Sequence, residues 1–363
     1  MGNENRMIVG KERWENIQSS EAREILWSGQ CKESGDAYHA IAEQVVRDQV
    51  QFRLVPADEL QRPMSLVRYF SALRAISLTA TFSPGVLVAL AGWLQNRPFN
   101  AWLFTLASLG AVLFQVAVNT WNDVEDHLKL IDLPGGIGGS GVIQKGWLTA
   151  REVRRLGNIA LVLGILCGLP VVWINPKLMI VIAVIALIGT WGYSGWPFRF
   201  KYRAVGDITV GILCGPALTI GYAIASFGSV QVTDWFIGIV TGILAVGILH
   251  ANNLHDIETD QSRGGKTWAS VMGFKSSIRM LGFLYGFAML AELWIANQLK
   301  GLVFGAVLIS SLLLAKFWSK VRHASGPWDP RIRLIRFEAA QLHLMCCVIL
   351  AISFVLQTWI RNG

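Results

Sequence analysis

The chain has 363 residues, of which 53% are hydrophobic and only 15% charged, and its mean hydropathy is +0.45. A soluble globular chain carries about a quarter charged residues, so this composition excludes one and implies an integral membrane protein. The net charge of +8 does not point to nucleic acid, because the bases sit in short loops between apolar runs, where they act as a topology signal.

Residues 1–65 read as a polar, amphipathic, cytoplasmic extension without a secretory signal. Charged and apolar positions mix from Glu21 to Trp27 and from Tyr38 to Arg47. That mixture predicts one or two amphipathic helices, lying on the membrane or folded against cytoplasmic loops as a stabilising cap. Residues 66–363 read as a transmembrane domain. Apolar stretches near the spanning length recur at roughly 75–95, 100–120, 156–174, 177–195, 207–227, 234–252, 278–298, 301–318 and 337–359. The predicted fold is therefore all-α, an integral membrane bundle of about nine transmembrane helices. Pro84, Pro170 and Pro216 fall inside spans, where they are expected to kink or break the helix.

The loops sort by charge. One set holds Lys129, Lys145, Arg151, Arg154 and Arg155, then Arg199, Lys201 and Arg203, then Arg263, Lys266 and Lys275, then Lys320, Arg322, Arg331 and Arg333. The other set carries only Arg97, Lys177 and Lys300. The positive-inside rule puts the first set and the N-terminus in the cytoplasm, as for a protein of the cell inner membrane.

Two polar stretches end apolar runs on that basic side. In Asn119-Thr-Trp-Asn122-Asp123-Val-Glu-Asp126, helical spacing puts the two Asn and two Asp on one face. In Asn252-Asn253-Leu-His-Asp256-Ile-Glu-Thr-Asp260, Asn252, Asp256 and Asp260 follow at i, i+4 and i+8. Carboxylates near lipid are costly and usually mark a site. A weak internal repeat (apolar helix, Asn/Asp-rich end, basic glycine-containing loop) predicts pseudo-symmetric halves around a central cavity. The two stretches then read as two halves of one metal-diphosphate site.

Asp123, Asp126, Asp256 and Asp260 suit Mg2+, which takes one or two carboxylates and completes its shell with phosphate and water. The asparagines orient carboxylates or donate to phosphate, while Lys145, Lys201, Arg203 and Lys266 either contact phosphate or only signal topology. A diphosphate beside a lipid-lined cavity implies a lipidic substrate. Its ionisation gives an allylic cation that Tyr193, Trp191 or Tyr202 is placed to shield, unless these rings are interface anchors.

These residues resemble the UbiA superfamily of intramembrane prenyltransferases over roughly 66–360, with the two Asn/Asp stretches as its Asp-rich motifs and Arg263-Gly-Gly-Lys266-Thr267 after the second. Within it the sequence is most similar to MenA-type 1,4-dihydroxy-2-naphthoate prenyltransferases. This likeness is carried by Ala72-Leu73-Arg74 leading to Ser83-Pro84, by Gly138-Gly139-Ser140-Gly141-Val142-Ile143-Gln144, and by Tyr193-Ser-Gly195 through Lys201-Tyr202-Arg203 to Gly206. The resemblance implies Mg2+-dependent transfer of a polyprenyl chain from its diphosphate to an aromatic acceptor. It implies metal holding by Asp123, Asp126, Asp256 and Asp260, and a place for Arg74 near the substrate. Departures include Leu130 where a Gly usually precedes the last acidic position, here Asp132, and Asp207 where Glu is common. Capture of the cation by its own double bonds, as in a terpene cyclase, and transfer to a chlorin, haem or glycerol phosphate are the rival enzymatic readings. A transporter would also place charges near helix ends but would not need two Asn/Asp faces on one side.

Other patterns are weaker. Gly135–Gly141 lacks the Gly-Lys-Ser/Thr and preceding strand of a nucleotide P-loop, and fits a flexible cap over the site. His127 and His255 belong to no metal pattern and read as hydrogen-bonding or interfacial residues. Cys31, Cys167, Cys214, Cys346 and Cys347 form no CxxC pair, which argues against zinc or a disulfide framework.

Overall fold

The structure, a computed structural model, describes residues 11–31, 38–135, 139–262 and 265–362. The chain divides into two compact units, Met1–Ala75 with Val116–Ile159, and Ile76–Gln115 with Ala160–Gly363.

The first unit starts with β1 (Lys11–Asn16), α1 (Ser20–Ser28), β2 (Tyr38–Val46) and β3 (Gln49–Pro56). The strands form an antiparallel sheet in the order β1-β3-β2, with a register shift between Ala42 and Gln44. Ser19 caps α1 by accepting from the Ala22 N–H, and Gly29 ends it in the left-handed conformation that glycine adopts without steric cost. Ala22, Ile25 and Leu26 of α1 pack with Ala40, Ala42, Val50, Phe52 and Leu54 of the sheet. The stretch from Tyr38 to Arg47, expected to be helical, is thus mostly strand β2. Its four consecutive buried residues, His39 to Ala42, meet a core that a solvent-facing amphipathic helix would not supply. A short helix, α2 (Ser65–Ala72), closes this segment.

The remaining elements are α3 (Thr79–Leu94), α4 (Ala101–Leu128), α5 (Ala150–Val172), α6 (Pro176–Gly192), α7 (Gly206–Ile212), a π-helical turn (Leu213–Ala217), α8 (Leu218–Phe227), α9 (Val232–His255), α10 (Ile257–Ser262), α11 (Trp268–Met272), α12 (Phe274–Leu299), α13 (Val303–Val321) and α14 (Ile335–Asn362). The helices α4 and α5 contribute residues to both units. Among the described residues, seven helical stretches are long and apolar enough to cross a membrane, with α7 to α8 counted as one. The expected spans at 75–95 and 177–195 are the shorter apolar helices α3 and α6. The apolar part is all-α, as its composition requires of backbone groups in lipid. Helices α3 and α5 run through Pro84 and Pro170. Only Pro216 marks a break: it lies in the π-helical turn, where Gly215 leaves helical geometry at φ −112° and ψ −113°.

In the second unit α9 is the most buried of the long helices and packs against α12, α14, α3 and α7. Its Gly238 and Gly242 face the π turn so closely that a Cβ on Gly242 would come to 3.0 Å from the Gly215 Cα. Small residues four apart allow this backbone approach. The start of α9 is fixed by Asp234, which accepts from the Gln231 N–H and pairs with Arg97 at 3.0 Å.

Candidate active site

The predicted site residues fall into two groups, one in each unit. In the first unit the last three turns of α4 carry polar side chains closed to solvent: Asn119, Asn122, Asp123 and Asp126 are all buried. Buried carboxylates are stable only with partners. Asn122 Nδ2 donates to Asp126 Oδ2 at 2.9 Å, the i to i+4 contact that the spacing predicted. Arg74 Nη1 reaches Asp123 Oδ1 at 3.1 Å and Asn122 Oδ1 at 3.5 Å. Arg74 sits in the left-handed region at φ 56°, and the Asn119 side chain steadies that turn by donating to the Leu73 carbonyl at 3.1 Å. Glu125 points to another partner, Arg154, at 2.5 Å.

The glycine-rich stretch returns to the same carboxylate. The Ser140 N–H donates to Asp123 Oδ2 at 3.0 Å. At Gly139, with φ +61°, the place a Cβ would take lies 2.7 Å from Asp132 Oδ2 and 3.0 Å from Asp123 Oδ1. Asp132 therefore lines the same small space as Asp123. Sequence reasoning noted it only as a displaced family position, and the cue was its spacing after Leu130. Residues 136–138 of this stretch lie outside the described residues. Lys145 stands over the Trp147 ring at 4.6 Å.

The second group lies at the end of α9. Asn252 Nδ2 donates to Asp256 Oδ2 at 3.3 Å, and Asn253 is buried beside it. The helix does not run on to Asp260 as one face, because Asp256 leaves helical geometry at φ −92° and ψ 5°. The chain re-enters a helix at α10, and the Asp260 N–H donates to the Asp256 carbonyl at 2.7 Å. Asp260 Oδ2 accepts from the Thr267 hydroxyl at 3.2 Å. Arg203 pairs with Lys266 in an isolated bridge, the Lys266 N–H donates to the Tyr202 carbonyl, and the Lys201 N–H donates to the Tyr193 carbonyl at 2.8 Å. These contacts tie the loop after α6 to the loop before α11, so Tyr193, Lys201, Arg203 and Lys266 form one cluster. Arg263 lies outside the described residues. Below the cluster, His250 Nδ1 is 3.7 Å from Asp207 Oδ1. His127 and His255 serve as hydrogen-bonding residues, to the Leu26 and Ile332 carbonyls at 3.1 and 2.6 Å.

The donors in both groups are carboxylate and amide oxygens. Among the described residues no three His, Cys, Asp or Glu side chains converge as a ready-made metal cage. Carboxylate and amide oxygens are the donors that suit a small hard cation, which brings water and phosphate as its other ligands.

Long apolar helices that end in buried carboxylates and amides mark an integral membrane enzyme. The chain belongs to the UbiA prenyltransferase family, whose sequence profile matches residues 81–335. It is 27% identical over 242 residues to the 1,4-dihydroxy-2-naphthoate octaprenyltransferase of Mycobacterium tuberculosis, covering 63% of this chain and 80% of that one. It is 26% identical over 273 residues to the protein of the same name from Escherichia coli, covering 72% and 86%. Among solved structures, the apo UbiA homolog of Aeropyrum pernix K1 matches with a TM-score of 0.59 at 16% identity, over 77% of this chain and 98% of the other. A UbiA homolog of Archaeoglobus fulgidus bound to DMAPP and Mg2+ matches with a TM-score of 0.55 at 14% identity, over 80% and 99%. These structures share the fold.

Proposed function

We propose that this enzyme transfers a polyprenyl group from its diphosphate to an aromatic acceptor, 1,4-dihydroxy-2-naphthoate, in menaquinone formation. The observation that carries the reading is the buried array of Asp123, Asp126 and their asparagines at the end of α4, with Arg74 as a cationic partner of Asp123. An array of that charge is stable when a divalent cation shares it. The acceptor is taken from the names of the similar naphthoate enzymes.

Asp123 and Asp126 in one motif, and Asp256 and Asp260 in the other, would hold Mg2+. Bound there, Mg2+ would supply positive charge against the charge that builds on the diphosphate as its C–O bond breaks. Arg74 and Lys145 in the first unit, and Lys201 and Arg203 in the second, are the bases proposed to contact phosphate. Asn119, Asn122, Asn252 and Asn253 keep the carboxylates aimed and donate to phosphate oxygens. The Tyr193 ring stands by to shield the allylic cation until an electron-rich ring carbon of the acceptor captures it. The basic loops and residues 1–65 face the cytoplasm, as the positive-inside rule requires for a protein of the inner membrane.

The test uses purified protein with Mg2+ and geranylgeranyl diphosphate, with and without 1,4-dihydroxy-2-naphthoate. A prenylated naphthoquinone that forms only with acceptor is expected. A terpene formed without acceptor would move the assignment to a cyclase. Asp123→Ala and Asp256→Ala are each expected to abolish turnover in a folded, membrane-inserted protein, and full activity in both would sink the cation-holding role.

A further inference from the structure

The turn after Asp126 holds a residue ill-suited to its backbone. Leu130 lies at φ 57°, in the left-handed region that glycine enters freely and other L-residues enter at a cost. The turn is closed all the same: the Leu130 N–H donates to the His127 carbonyl at 2.9 Å, and the Ile131 N–H to the Asp126 carbonyl at 2.8 Å.

The side chain accounts for this choice. Leu130 is 3% exposed and lies in the core of the N-terminal sheet with Ala42, Val50, Phe52 and Leu54, flanked by Leu128 and Leu133. Burying a leucine in an apolar core is favourable enough to hold a strained turn. A second tie joins the same parts, since the His127 Nε2–H donates to the Leu26 carbonyl of α1. The far end of the glycine-rich stretch is also held by the segment after the sheet. Arg62 Nε donates to the Gly146 carbonyl at 3.0 Å, and Arg68 Nη1 to the Trp147 carbonyl at 3.2 Å. The chain from Asp126 to Trp147, which includes Asp132 and Ser140, is thus gripped at both ends by residues 22–68. All of those residues precede the segment that matches the family.

We propose that the N-terminal sheet belongs to the scaffold of the cation-holding array, with Leu130 as a positioning residue that acts through Asp126 and Asp132. The inference rests on the reading of Asp123 and Asp126 as cation-holding groups and adds the structure that sets their geometry. A glycine at 130 would relieve the backbone but cut the link to the sheet. The leucine trades local strain for a fixed connection.

The test compares full-length wild type, Leu130→Gly, Leu130→Met, Phe52→Ala and the Leu130→Gly/Phe52→Ala double variant in lipid nanodiscs. Hydrogen exchange across residues 126–147 is read together with KM and kcat for pyrophosphate release from a prenyl diphosphate in Mg2+. Leu130→Gly is expected to speed exchange in 126–147 and to raise KM roughly tenfold, a typical coupling between contacting residues, with kcat changed less. Leu130→Met should restore both readings, and the double variant should be little worse than either single one. Unchanged exchange in Leu130→Gly, or fully additive effects in the double variant, would overturn the proposal. Full activity in Asp126→Ala is a separate failure: it overturns the cation-holding reading and leaves the exchange comparison intact.

Discussion

A Cβ placed on Gly139 would meet oxygens of Asp132 and Asp123 at 2.7 and 3.0 Å, on a backbone whose φ of +61° already favours glycine. At Gly135 the φ is +82°, but among the described residues nothing lies within 4 Å of such an atom. The two glycines separate steric from conformational effects. Gly139→Ala is expected to cut turnover by on the order of a hundredfold, the usual effect of moving a reacting group by about 1 Å. Gly135→Ala should cost only a few-fold, and equal losses in a pyrophosphate-release assay would refute the role given to the space at Gly139. The contact between Asn122 and Asp126 was legible in the sequence because a helix turns every 3.6 residues. The space shared by Asp132 and Asp123 was not, because a loop with glycines at positive φ carries no periodicity to extrapolate. Leu130 was visible only as a departure from pattern, and its reason lies in the sheet core.

At the level of elements, the spans were readable because lipid leaves the backbone few alternatives to a helix. The sheet was misread because Tyr38–Val46 mixes alanine, glutamate and glutamine, good helix formers whose preference is weak against tertiary packing. That packing makes the sheet sensitive to acid. His39 is buried with Arg62 Nη2 3.4 Å from its Nδ1. Burial first, and then the Arg62 charge, push its imidazole down to about 4, with Glu152 opposing. An unfolded imidazole titrates near 6.5, so the unfolded chain takes the proton more readily. The stability from neutral His39 is complete above about pH 6.5 and is lost as pH falls toward 4, on the order of 3 kcal/mol in all. Exchange protection of β2 and β3 should decline across that window, and His39→Gln should flatten the profile; a parallel decline in that variant would show another group at work. In the second unit, Gly242→Ala should destabilise by about 1–3 kcal/mol through overpacking against Gly211 and Gly215. Thermal unfolding in detergent would show it, and an unchanged midpoint would mean that the π turn yields.

For the whole molecule, the proposed orientation rests on loop charge. The loop at Gly228–Val232 carries no base, whereas the loop from Arg322 to Arg333 carries several. In a cysteine-free background, Ser229→Cys should react with an impermeant maleimide in intact cells, and Ser325→Cys only after permeabilisation; the reverse pattern would invert the orientation. The chain also has a built-in order of manufacture. The sheet is complete in sequence at Pro56, yet its core includes Leu128, Leu130 and Leu133, more than seventy residues further on. At a synthesis rate of about 5–20 residues per second, the ribosome needs roughly 4–15 s to cover that interval. During that time the apolar face of the nascent sheet waits without its last side chains while α3 and α4 are being made, so the start of the chain is finished only after these first apolar helices have been synthesised.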